Sequence, residues 1–210
     1  IDEPMMAYET ALRARVTGTI GMERTTLSFD DVMASGDYAM PHGLNLMSEY
    51  VPIPLSVEKT LLPIGPAGSH WSTLSDMARY MVTQLSDGVA PNGERVISEE
   101  NLLETRQPQV EISAELWYGL GWMVGDYKGI PMFEHGGNTL GFTSDFAFLP
   151  DANLGIIVMT NGQGTNTFSQ AARVRLLEML YDIPSQVEPA IDFTVQQIET
   201  QSQRLAERLQ

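Results

Sequence analysis

An α+β fold, an antiparallel sheet packed with helices, is what this sequence predicts, and three features predict it. Strand-like segments follow one another after Trp117 with connections only a few residues long. Such short links make neighbours antiparallel, because a parallel crossover takes a dozen residues or more. Residues 166–181 then carry Phe168, Ala171, Ala172, Val174, Leu176, Leu177 and Leu180, a broad apolar face suited to lying on that sheet. Upstream, Leu74, Met77, Met81 and Leu85 form a helical stripe behind Thr73, a residue able to cap a helix.

Taken in chain order, the elements follow from the same rules. Tyr8, Leu12 and Val16 recur at helical spacing over residues 6–16, and Gly18 and Gly21 are expected to end that helix. Residues 30–66 mix Gly, Pro, Asp and Asn with isolated apolar side chains, which reads as a long loop-rich excursion of the kind that often carries function. The helix over 73–86 has Asp76 in its first turn, near the positive end of the dipole. Pro91-Asn92-Gly93 signals a turn, and Ser98 before Glu99 and Glu100 starts a short helix ending near Arg106. Strands are expected over 118–124, 130–134, 143–149 and 154–160, separated by Asp126-Tyr127-Lys128-Gly129, Gly136-Gly137 and Pro150-Asp151-Ala152-Asn153. Beyond Pro184 the chain turns polar and Gln-rich, with a thin stripe of Val195, Ile198, Leu205 and Leu209. Residues 1–183 therefore read as one domain and 184–210 as a linker and amphipathic helix.

Composition narrows the function classes. Twelve basic against 27 acidic side chains give a net charge of -15, which repels nucleic acid and anionic lipid at long range. No apolar run approaches the roughly 20 residues of a membrane span. The absence of cysteine excludes disulfides, thiolate metal sites and a cysteine nucleophile. His42, His70 and His135 lack the close spacing of a metal motif, so no metal site is expected. The opening Ile1-Asp2-Glu3-Pro4 carries no initiator methionine or leader, from which a missing N-terminal portion is expected.

Three stretches carry a resemblance: Gly21-Met22-Glu23-Arg24-Thr25-Thr26 with Phe29-Asp30; Pro66-Ala67-Gly68-Ser69-His70-Trp71-Ser72-Thr73 with Asp76-Met77-Ala78-Arg79; and His135-Gly136-Gly137-Asn138 with Gly141-Phe142. In that order, over roughly residues 5–183, the chain resembles the C-terminal portion of the penicillin-binding-protein and class C β-lactamase type of serine hydrolase, and with it the β-lactamase/transpeptidase-like fold. The resemblance implies acyl-enzyme chemistry on a small ester, a D-configured peptide or a β-lactam, a setting outside the cytoplasm, and no cofactor. It gives His135 and Asn138 catalytic places. His135 stands where the family's Lys-Thr-Gly strand or His-x-Gly equivalent faces the cleft, and Asn138 lends a backbone N–H to the oxyanion hole. Gly136 and Gly137 would bind substrate along the strand edge. Gly136 lacks the hydroxyl that many β-lactamases use to hold the substrate carboxylate, which favours an esterase or D-amino-acid peptidase.

The nucleophile motifs of that family are not legible here. Ser56-Val57-Glu58-Lys59 matches Ser-x-x-Lys in letters, but Pro52, Pro54 and Pro63 surround it and it follows the Gly21–Thr26 stretch that the family's serine precedes. No Tyr-x-Asn accompanies it. The chain alone is therefore expected to be inactive, with the missing N-terminal segment or a second copy in a homodimer as partner. The alternative is an inactive fragment or homologue acting as a binding module, since a sheet short of strands exposes an edge. On the residues alone His135 also reads as a strand-end histidine paired with Glu134 or a loop carbonyl. Trp71 reads as a core anchor, Asp76 and Arg79 as a local helix pair, and Trp117, Tyr118 and Trp122 as sheet packing.

Overall fold

The structure is a computed structural model and describes residues 3–208. Helix α1 (Glu3–Leu12) runs on through a π turn, Arg13–Thr17, into one last turn, Gly18–Ile20, and closes at Gly21 with φ +81°. Gly18 does not end the helix as expected. It is helical, and a Cβ there would meet the Arg13 carbonyl oxygen at 2.5 Å, so close approach in the widened turn is what requires glycine.

The expected excursion over 30–66 is built from short elements. Helix α2 (Phe29–Ser35) is capped by Ser28, whose hydroxyl accepts from the Asp31 N–H. Strands β1 (His42–Leu44) and β2 (Tyr50–Pro52) pair antiparallel, and a 3-10 segment spans Leu55–Ile64. Each piece is too short to show a period, and burial of Phe29, Val32 and Leu55 against Trp71 and Phe142 orders them. Helices α3 (Leu74–Leu85) and α4 (Glu99–Thr105) start where their caps place them. The Thr73 hydroxyl accepts from the Asp76 N–H at 3.2 Å and the Ser98 hydroxyl from the Asn101 N–H at 3.3 Å.

Six strands form an antiparallel meander in sequence order: β3 (Val110–Ser113), β4 (Leu116–Tyr118), β5 (Met123–Tyr127), β6 (Ile130–Asn138), β7 (Thr143–Leu149) and β8 (Leu154–Thr160). Two expectations are corrected here. Residues 118–124 are not one strand, because the chain turns at 119–122, where Gly121 has φ +90° and the Gly119 N–H donates to the Trp122 carbonyl. Gly136-Gly137 is not a connection either: β6 runs through it, and the turn falls at 139–142.

Helix α5 (Asn166–Leu180) covers one face of the sheet, with Leu177 meeting Leu149, Ile156 and Tyr127. The other face packs Phe148 against Trp122 and Met81 of α3. Alternation along β7 sends Ala147 and Phe148 to opposite faces, and both are fully buried. Helix α6 (Val187–Arg208) follows; the expected stripe residue Leu209 and the side chain of Leu205 lie outside what is described. Among the described residues no helix is long and apolar enough to cross a membrane.

Candidate active site

Strand β6 extends beyond β5, and the overhang carries the candidate residues His135, Gly136, Gly137 and Asn138. Met123 begins β5 opposite Glu134, whereas β7 stays in register with β6 out to Asn138 against Thr143. Residues 135–138 are therefore paired on one edge and unpaired on the other among the described residues. The Thr139 N–H reaches the Phe142 carbonyl at 2.9 Å, on the β7 side. With strict alternation back along the strand, the N–H groups of Asn138 and Gly136 face the open edge.

The turn beyond Asn138 is pinned by a buried carboxylate. Glu58, 5 % exposed, accepts from the Gly141 N–H at 2.8 Å and from the Thr139 hydroxyl at 3.2 Å. Gly141 also lies so close to Pro41 that a side chain there has no room. Asn138 itself is anchored by its side chain, which meets the Thr143 hydroxyl at 2.8 Å; that hydroxyl lies 2.9 Å from the Gly162 carbonyl and 3.2 Å from the Thr165 N–H. All three contacts are satisfied with the amide turned so that Asn138 Nδ2 donates to Thr143, which donates on to Gly162.

His135 lies on the sheet face opposite α5, and its Nε2 sits 3.0 Å from the Tyr118 hydroxyl, with the two rings edge-on at 6.0 Å. It is not paired with Glu134 or a loop carbonyl: Glu134 points to the other face and binds Arg173. Arg173, almost fully buried, also approaches Asp145 at 3.2 Å, an ion pair without a well-aligned hydrogen bond. Asp145 stands directly across from Gly136. Burial pushes the Asp145 carboxyl up and the Arg173 guanidinium down from their ordinary values. Gly136 and Gly137 keep the strand thin, since a Cβ at either would crowd Ser144 at 3.2–3.3 Å.

The remaining sequence candidates fall elsewhere. Lys59 lies over the Phe29 ring at 4.4 Å and Glu58 serves the turn, so Ser56-x-x-Lys59 forms no hydrogen-bonded pair. Asp76 binds the Arg24 N–H at 2.8 Å and the Thr25 hydroxyl at 2.9 Å, joining two of the motif stretches rather than pairing with Arg79. Trp71 packs edge-on between Phe29 and Phe142. His42 binds the Met40 and Asn161 carbonyls, and His70 lies against Tyr8, so neither joins His135. Among the described residues no three His, Asp or Glu side chains converge as a metal site. Sequence reasoning missed Tyr118 and Glu58. Splitting 118–124 at Gly119-Leu120-Gly121 would have aligned Tyr118 with Met123 and, through it, with Glu134 beside His135.

Comparison with known proteins places this geometry in a wider group. The sequence model of the family described as Beta-lactamase matches residues 3–180. Penicillin-binding protein 4 of Amycolatopsis lactamdurans is 29 % identical over 77 % of this chain and 43 % of its own length. An unguisins hydrolase of Aspergillus campestris is 27 % identical over 81 % of this chain and 32 % of its own length. The chain thus spans less than half of either relative. Among solved structures, the octameric penicillin-binding protein homologue from Pyrococcus abyssi superposes with a TM-score of 0.68 at 22 % identity, covering 84 % of this chain and 38 % of that one. A class C beta-lactamase gives 0.55 at 22 % identity over 74 % and 46 %.

Proposed function

The chain belongs to the beta-lactamase family, and on that premise we propose that it forms one wall of a serine-hydrolase site whose nucleophile is supplied by another segment. The open edge of β6 at residues 135–138 carries the reading. An acyl substrate lies along that edge as an added strand, with Gly136 and Gly137 allowing close approach. The Asn138 N–H meets the oxyanion of the tetrahedral intermediate, a role in which one fixed donor is worth roughly 3–4 kcal/mol. His135 faces the acyl group from the sheet side. Gly136 offers no hydroxyl for a substrate carboxylate, so an ester or a D-configured peptide suits the edge better than a β-lactam.

The test is intact mass after incubation with a fluorophosphonate and, separately, with penicillin, alongside amide shifts on adding N-acetyl-D-alanyl-D-alaninamide, a D-configured peptide without a free carboxylate. No adduct on this chain, and shifts gathered at Gly136 and Asn138, are expected. An adduct mapped to Ser56 would overturn the missing nucleophile, and unmoved Gly136 and Asn138 amides would overturn the substrate edge. A second reading, a self-associating binding module, is favoured by the edge strand β3, where Val110 and Ile112 are 63 % and 52 % exposed. Light scattering separates the two: a stable dimer supports the module, a monomer the wall of a larger enzyme.

A further inference from the structure

We propose that Tyr118 is a positioning residue that holds His135 as its Nδ1–H tautomer, making the ring a hydrogen-bond donor, not a base, toward a ligand on the open edge of β6. The inference rests on the reading of that edge as the substrate side. The Tyr118 hydroxyl and His135 Nε2 are 3.0 Å apart, so one of them donates. A phenol is the stronger acid and an imidazole nitrogen the stronger base, so the proton belongs on the oxygen and Nε2 accepts. The hydroxyl has no other acceptor within hydrogen-bond distance among the described residues, and accepting from Nε2–H would leave its own proton to solvent. With Nε2 engaged as acceptor, the neutral ring carries its hydrogen on Nδ1, which has no protein partner among the described residues. Which nitrogen of a histidine carries the proton is set by the bond the other one makes.

The geometry around the pair keeps this arrangement in place. Tyr118 is the last residue of β4, directly before the turn closed by the Gly119 N–H and the Trp122 carbonyl. Gly119 has no space for a side chain, because a Cβ would meet the carbonyl oxygens of Thr105 and Gln107 at 2.6 and 2.9 Å. That close seat fixes where the phenol emerges. His135 follows Glu134, the last residue of β6 paired on both edges. Donor and acceptor thus both sit on backbone held by sheet pairing, and the ring reaches the unpaired stretch already oriented. A neutral N–H there stabilises negative charge developing on a substrate carbonyl without introducing a cation.

The experiment is a long-range proton–nitrogen NMR correlation on the uniformly labelled chain, without substrate, at a pH where the imidazole is neutral. The expected result is a protonated Nδ1 and a bare Nε2 at His135, and in Tyr118→Phe a reversal to the Nε2–H form that free imidazoles prefer. Wild-type His135 protonated on Nε2 overturns the proposal without any variant, and so does an unchanged tautomer in a folded Tyr118→Phe. A purely structural phenol would alter stability and leave the tautomer alone. Because no substrate is present, the result stands apart from the peptide titration: an inert Asn138 amide there fails the substrate edge and leaves this assignment intact.

Discussion

The two halves of strand β6 are built differently. From Ile130 to Glu134 it is paired with β5, β7 joins on the other edge from Phe133 onward, and Phe133 stacks on the fully buried Phe148. From His135 to Asn138 it keeps β7 alone, with two glycines in four residues. A half-paired stretch without side-chain bulk should fray, yet the Asn138 side chain binds the Thr143 hydroxyl and residues outside the stretch add polar contacts at three further points. Arg173 with Glu134 and Asp145 lies beneath its start, Tyr118 holds His135, and Glu58 ties the turn beyond its end. The difference teaches that the open edge stays free of backbone partners because side chains do the holding.

Breaking the first of those points is expected to have the largest effect. Arg173→Met leaves the buried Asp145 carboxylate and the part-buried Glu134 carboxylate on one face of the β6–β7 pair without their shared cation, which costs about 3–5 kcal/mol. Adding Glu134→Gln and Asp145→Asn removes the stranded charge and should restore most of the loss, as read by denaturant unfolding of the single and triple variants. Equal instability of the two would mean that Arg173 acts by packing, and that the ionic cluster has no special part in holding the strand. Glu58→Ala comes next. It leaves the buried Gly141 N–H without an acceptor, at about 1–3 kcal/mol, and should speed hydrogen exchange at Gly141 ahead of residues 130–134. Unchanged exchange at Gly141 would remove Glu58 from the description of the site.

The same contrast explains what the sequence discloses. The helix over Leu74–Leu85, the cap at Ser98 and the strands at Thr143–Leu149 and Leu154–Thr160 are legible because period and cap are local properties. His135-Gly136-Gly137-Asn138 is legible as a motif, and the beta-lactamase family is the one that its resemblance names. Tyr118 and Glu58 are not, since each acts across a register that no local pattern announces: Tyr118 meets His135 only once β4 and β5 are separated, and Glu58 meets Gly141 across 83 residues. Within Ser56-Val57-Glu58-Lys59 the sequence does not disclose what Glu58 does, because a buried carboxylate and a solvated one look alike until a backbone N–H stands beside one of them.

The smallest effect is expected at the far end of α5, where the sheet needs no open edge. Glu178, 1 % exposed, accepts from the Gln186 N–H at 2.7 Å and so ties the end of α5 to the start of α6. That backbone N–H, ahead of help from Ser185, Val187 and Arg175, holds the carboxyl below its ordinary value of 4.5 against the opposing effect of burial. A carboxyl whose folded value is depressed binds fewer protons folded than unfolded. Its stabilisation is therefore present above pH 4.5 and is lost as the pH falls through the folded value. The Gln186 amide resonance should shift and its exchange quicken on that acid limb, while the Asn138 amide, held by β7 and Thr143, keeps its position. Glu178→Gln should remove the acid-dependent part at Gln186. If the variant titrates as the wild type does, another group closes α6 onto α5; if Asn138 moves with Gln186, the two ends of the sheet are coupled and the contrast between the halves of β6 fails with it.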